Sequence, residues 1–255
     1  MNSYIVVADK FVDFAVNART ITLRHLFALF ELPAHLLPDR ARLELGQGVS
    51  DDDCQKIIST VDGCKILSAR WDIDALRDRP ARAGSDLSHK RKPRNTLICP
   101  PHQVQEGVFH LDLRIDQDCE LMDDHQTGQH VQGMILVEAA RQAFLAVTEQ
   151  FFLTGFNHKS YFVITSMNTE FMGFVFPLAA HMEYRIISQD INERRQRFEV
   201  EIDLIQGQGI KARTTCAFTV YPDQVISEKE AMLASQAVSL VHGEPLQQHP
   251  SSGPT

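Results

Sequence analysis

The chain has 255 residues, 44% hydrophobic and 23% charged, which gives one large domain or two small ones enough apolar surface for a packed core and excludes a disordered or fibrous chain. Acidic residues outnumber basic ones 33 to 25, a formal net charge of −8, which excludes a general nucleic-acid binder because phosphate affinity is supplied by Lys and Arg. Five cysteines with no CxxC pair exclude a disulfide framework and a zinc ribbon, and no stretch approaches the roughly 18 apolar residues of a membrane span or the basic start of a signal peptide. A cytoplasmic protein is expected, with no membrane partner.

In chain order, residues 1–75 hold a short apolar run at 4–7, a helix starting after Thr20 or Thr22 through LRHLFALF, and a second helix after Ser50. Ser50 followed by three Asp places an N-cap and negative charge at a helix start, where the dipole favours them. This region reads as a small N-terminal accessory segment. Residues 76–94 read as an exposed basic linker, since 77–94 carries seven Lys or Arg against two Asp.

From Gly107 the pattern alternates: Phe109, Leu111, Leu113 and Ile115 share one face and His110, Asp112, Arg114 and Asp116 the other, as in a half-buried strand. Residues 131–153 predict a long helix, apolar on nearly every side and therefore enclosed, with Met134, Val137, Ala140, Phe144, Val147 and Phe151 at three- and four-residue spacing. Strands are expected near 161–167, 181–189, 196–206 and 210–221, with a tight turn at 206–209. A strand, a long buried helix and an antiparallel meander describe an α+β hotdog domain over 95–222, its sheet wrapped around a central helix. Beyond it, 223–255 reads as a partly disordered tail, in which Ser227 and Glu230 form a capping-box pattern for a short terminal helix.

The candidate chemistry lies at 124–142. Glu138, Arg141 and Gln142 stand at i, i+3 and i+4 and form a polar stripe on an otherwise apolar helix. A buried carboxylate must be paired or protonated, so Glu138 is either half of a structural ion pair or a titrating group. His125, His130 and Gly133 precede the helix, whose N-terminal N–H groups and dipole suit a developing oxyanion. Gly133 lets a thioester carbonyl approach the backbone, while His125 or Glu138 serves as general acid or base. The spacing of His125 and His130 beside Asp123 and Asp124 is not a strong metal-ligand pattern, so no metal and no cofactor are expected. Cys119 reads as a small core residue rather than a nucleophile.

The run GQHVQGMILVEAARQ resembles the A-factor biosynthesis hotdog family, the γ-butyrolactone signal synthases; more distantly it is similar to the β-hydroxyacyl carrier-protein dehydratases. His89 and Lys90 followed by NTLI, and later YFVITSMNTEFMGF, extend the resemblance over about 88–221. It implies transfer of a β-ketoacyl group from an acyl carrier protein (or CoA) thioester to a dihydroxyacetone phosphate-like hydroxyl, in signal or secondary-metabolite biosynthesis. Catalysis would fall to Glu138, His125, His130 and Arg141, and substrate binding to Gly133, Met134, Gln142, His89 and Lys90. The family's members look like two tandem hotdog domains, so the resemblance implies a homodimer here. Gln132 stands where many hotdog relatives have Pro. The alternatives are a hotdog dehydratase or thioesterase, or a non-catalytic acyl-binding or regulatory protein.

Overall fold

The computed structural model describes residues 2–123, 127–153, 160–192 and 194–242. Its N-terminal part is more than an accessory segment with one strand-like run. Strands β1 (Asn2–Val7), β2 (Thr20–Thr22), β3 (Ala41–Leu45) and β4 (Trp71–Asp72) form a parallel sheet in the order β2-β1-β3-β4. Helices α1 (Leu23–Phe30), α2 (Asp51–Asp62) and α3 (Lys65–Arg70) lie in the crossovers that parallel strands require. The Thr22 hydroxyl caps α1 by accepting from the His25 N–H, and Ser50 with Asp53 closes a capping box on α2. This layer has its own core of Val6, Leu26, Leu43, Ile57 and Trp71, with the rings of Tyr4 and Phe30 set edge-on to the indole. β2 and β4, of three and two residues, carry no readable alternation, whereas β3 alternates over Ala41–Leu45 and was missed by sequence reasoning.

After α4 (Asp74–Arg77) and α5 (Ser85–Ser88) the second sheet begins. It comprises β5 (His102–Gln105), β6 (Val108–Asp112), β7 (Ser160–Phe171), β8 (His181–Asn192), β9 (Arg195–Gln206) and β10 (Gly209–Pro222). All pairs are antiparallel, in the order β5-β6-β8-β9-β10-β7. Helix α6 (Gly133–Phe151) packs on its inner face. The alternation expected from Gly107 is realised over β6, with Phe109 and Leu111 buried, but the strand ends at Asp112. Beyond it Arg114 and Asp116 are buried along with Leu113 and Ile115, because the two charged residues face the N-terminal layer rather than solvent. The space between helix and sheet is filled along α6: Phe144 stacks on Phe218 at 4.5 Å and Phe218 on Phe198 at 5.3 Å, while Phe152 meets Phe198 edge-on.

The two layers join through buried polar groups. Gln47 donates to the Leu113 carbonyl at 3.0 Å and accepts from the Ile115 N–H at 2.8 Å. The segment expected to be an exposed linker supplies Arg79 and Arg82, whose side chains are largely buried: Arg79 donates to the Val49 carbonyl, and Arg82 to the carbonyls of Thr96 and Arg114. With Arg114 they gather around Asp51 and Asp116. Burial first, then the neighbouring Arg114 charge, pushes Arg79 down to about 10.

The basic residues of this segment that do face solvent are Arg77, Arg91, Lys92 and Arg94. At the other end, α7 (Asp223–His242) is a 20-residue helix rather than a short one, and none of its residues is buried. It begins before the expected capping box: Ser227 is inside it and bonds back to the Asp223 carbonyl. Among the described residues no helix is long and apolar enough to cross a membrane.

Candidate active site

The chain approaching α6 is pinned by Val131, whose N–H donates to the Val175 carbonyl at 2.8 Å. This draws the loop after β7 against the helix N-terminus. Between them lies a cavity of about 370 Å³ lined by His130, Val131, Gly133, Leu136 and residues 171–175. His130 shares a 3.1 Å hydrogen bond between its Nδ1 and the Thr127 hydroxyl, and its ring lies 4.6 Å from that of Phe174.

No side chain caps α6; the amide of Gln132, its N-cap residue, donates to the Leu121 carbonyl instead. The dipole end of the helix is thus left to whatever enters the cavity. A Cβ placed on Gly133 would come 3.0 Å from two carbons of the Phe171 ring, so glycine is what allows this close approach. Phe171 is itself 55% exposed, so its ring has room to move.

The polar stripe forms a separate cluster. Glu138 Oε1 receives Lys90 Nζ at 2.6 Å, Gln142 Nε2 at 3.1 Å and Arg141 Nη1 at 3.4 Å. Gln142, with no exposed surface, also accepts from the Leu97 N–H at 2.8 Å and donates to the Asn95 carbonyl at 2.9 Å. It therefore fastens the strand-like segment before β5 to the helix. His89, in the left-handed region at φ 55°, pairs with Glu149 at 2.8 Å. Met134 is exposed.

The structure thus brings His130 and Gly133 together at one cavity and gathers Lys90, Glu138, Arg141 and Gln142 at another place. Five residues along a helix is a turn of about 140° and a rise of about 7.5 Å, so Gly133 and Glu138 face different ways. His125 lies outside the described residues. Sequence reasoning missed the cavity's aromatic wall. The signal was present as EFMGFVF, in which Phe171, Met172, Phe174 and Phe176 are too apolar for a solvated turn, and all four are exposed.

An antiparallel six-stranded sheet on one long helix, with a cavity at the helix mouth, defines a hotdog protein. The model of the A-factor biosynthesis hotdog domain matches residues 71–222, more than half of the chain. The chain belongs to that family. No curated protein matches it as a relative.

Among solved structures it is similar to a conserved protein from Pseudomonas aeruginosa (18% identity, TM-score 0.34, covering 47% of this chain and 86% of that one). It is also similar to a putative thioesterase from Shewanella oneidensis (12%, 0.37, 54% and 87%). A third is a putative thioesterase, a phenylacetic acid degradation-related protein, from Ralstonia eutropha (15%, 0.36, 47% and 82%). Likenesses of this grade say nothing of what the present chain does.

Proposed function

We propose that this protein is an acyl-thioester-handling enzyme, an acyltransferase that moves a β-ketoacyl group from an acyl carrier protein or CoA to the hydroxyl of a dihydroxyacetone phosphate-like acceptor. The observation that carries this reading is the apolar cavity at the uncapped N-terminus of α6, with His130 in its wall. The acyl chain lies against Leu136, Phe171 and Val175, and the thioester carbonyl faces the first-turn N–H groups at Gly133. One such donor contributes about 3–4 kcal/mol to a developing oxyanion.

His130, held through Nδ1 by Thr127, takes the proton of the attacking hydroxyl at Nε2. The new C–O bond forms, the C–S bond breaks, and the departing thiolate receives that proton. Lys90 and Arg141, two cations around the single carboxylate of Glu138 and away from the cavity, hold a phosphate of the long donor arm. His125 is a second acid–base group in this proposal.

A homodimer supplies the second half of the site. What supports it is β7, a 12-residue edge strand flanked by exposed Met134, Phe171, Met172, Phe174 and Phe176. Free cysteines fit the cytoplasm, and the family match supports a role in γ-butyrolactone-type signal or secondary-metabolite biosynthesis.

The test is mass analysis of products from β-ketoacyl and β-hydroxyacyl thioesters with the acceptor present. Ester formation is expected, lowered about 10²–10⁴-fold in His130→Ala with the circular dichroism unchanged. Free acid alone means a thioesterase, and an enoyl product a dehydratase. Full activity in His130→Ala overturns the assignment. The many donors already on Glu138 favour one further reading, a non-catalytic acyl-binding protein, for which saturable acyl binding without turnover is the signature.

A further inference from the structure

The face of the sheet turned away from α6 bears an unusual row of side chains. Because Phe109 and Leu111 point inward, His110 and Asp112 of β6 point outward. The register sets His102 of β5 directly opposite His110, Glu183 of β8 opposite His110 on its other side, and His181 opposite Asp112. Three adjacent strands thus present three imidazoles side by side. The ring centres of His102 and His110 are 5.7 Å apart, and those of His110 and His181 are 5.4 Å apart. His110 Nε2 lies 3.3 Å from Glu183 Oε2.

The two separations from His110, 5.7 and 5.4 Å, are close to what a shared metal ion needs, while His102 and His181 stand on strands either side of β6. A ring nitrogen binds zinc at about 2.1 Å, which puts the ring centre about 3.2 Å from the metal, so two imidazoles at the tetrahedral angle have centres about 5 Å apart. The charge around the row suits a cation: Asp112, Glu183, Glu201 and Asp203 share the face with Arg185 and Arg213, four carboxylates against two guanidiniums. Among the described residues no three donor side chains already converge on one point. Binding would turn His102 and His181 inward towards His110 and compete with Arg185 for Glu183, at a solvent-facing site where His102 is exposed and His110 and His181 are partly exposed. Imidazole donors select borderline transition metals over magnesium or calcium.

We propose that this outer face binds one divalent transition-metal ion, centred on His110, with His102 and His181 as further ligands and Glu183 or Asp112 closing the coordination. The ion clamps β5, a four-residue edge strand exposed at every position, to the two strands beside it. The site lies on the opposite face of the sheet from α6 and takes no part in the proposed acyl chemistry.

Isothermal titration of the whole protein with zinc chloride is expected to show one saturable site per chain, and zinc to raise the thermal midpoint while magnesium does not. In the His102→Gln/His181→Gln double variant and in His110→Gln, affinity falls at least tenfold and the midpoint no longer responds. Two of the positions are cross-strand partners on a solvent face, so the variants are expected to fold, as circular dichroism and the zinc-free midpoint will record. Unchanged zinc affinity in the variants, equal binding of magnesium, or no saturable binding by the unaltered protein each overturns the proposal.

Discussion

Gln142 shows how much one side chain can decide. At the level of spacing it is the third member of a polar stripe with Glu138 and Arg141, indistinguishable from a substrate contact. In the fold it accepts from the buried Leu97 N–H and donates to Asn95 and Glu138. Replacing it with Ala strands a buried donor and acceptor. The expected loss is about 2–3 kcal/mol, read as a lower urea midpoint at unchanged slope. Gln142→Glu keeps the acceptor for Leu97 and is expected to lose less only at pH values where the new carboxyl is protonated, since Glu138 stands beside it. Gly133 was legible before the structure because a helix that opens on glycine after a polar loop implies close backbone approach. What approaches it, the Phe171 ring, comes from 38 residues further along the chain, and no local pattern carries that information.

Among the elements, β8, β9 and β10 owe their outer face to a charged lattice. Asp203 on β9, almost without exposed surface, receives Arg213 from β10 at 2.6 Å and Arg185 from β8. Burial works to raise the Asp203 carboxyl, but the hydrogen bonds from Arg213 and Arg185 more than offset it, and the net direction is down. A folded value below the unfolded one means stability that is fully present above the unfolded value of about 3.9 and lost as pH falls through the folded value.

Asp116, at the junction of the layers, has the opposite sign: burial holds it above its ordinary value. Acidification through that window therefore favours the folded state at Asp116. Urea midpoints measured from about pH 6 downward are expected to lose less on acidification in Asp203→Asn than in the unaltered protein. Asp116→Asn is expected to remove a stabilising contribution over the same descent, so its midpoint falls more steeply.

These strands, and α6, were readable because each is long enough to show its period and each buries one face against a single partner layer. β1 was seen as a short apolar run without partners. β2, β4 and β5 are too short or too exposed to alternate visibly. α7 was underestimated because none of its residues is buried, so its apolar positions mark no readable face.

For the whole molecule, the consequential feature is the junction between the parallel sheet and the hotdog sheet. Gln47, Arg79, Arg82 and Arg114 bond across it to backbone carbonyls and to Asp51 and Asp116. Separating the layers would leave several charged groups without partners, at a cost of a few kcal/mol each. The two layers are therefore expected to unfold together. Trp71, the single tryptophan, sits in the N-terminal core against Tyr4 and Phe30 and reports that layer alone, whereas far-UV circular dichroism reports both. Coincident denaturation curves from the two probes are expected, and two separated transitions would show that the layers unfold independently.

The sequence by itself determined the hotdog layer and its glycine-led helix mouth: period-two strands, a 3.6-period apolar helix and a polar loop with glycine at its end are local patterns, set by which face each residue must bury. Only the tertiary structure decided that 2–72 is a parallel sheet, that Arg79 and Arg82 lie in a junction rather than in solvent, and that His130 and Gly133 share a cavity while Glu138 belongs with Lys90. The row of His102, His110 and His181 is likewise a product of strand register. The physical reason is common to all of these. They depend on contacts between residues tens of positions apart, and burial, pairing and register across such distances are properties of the packed chain, not of any window of it.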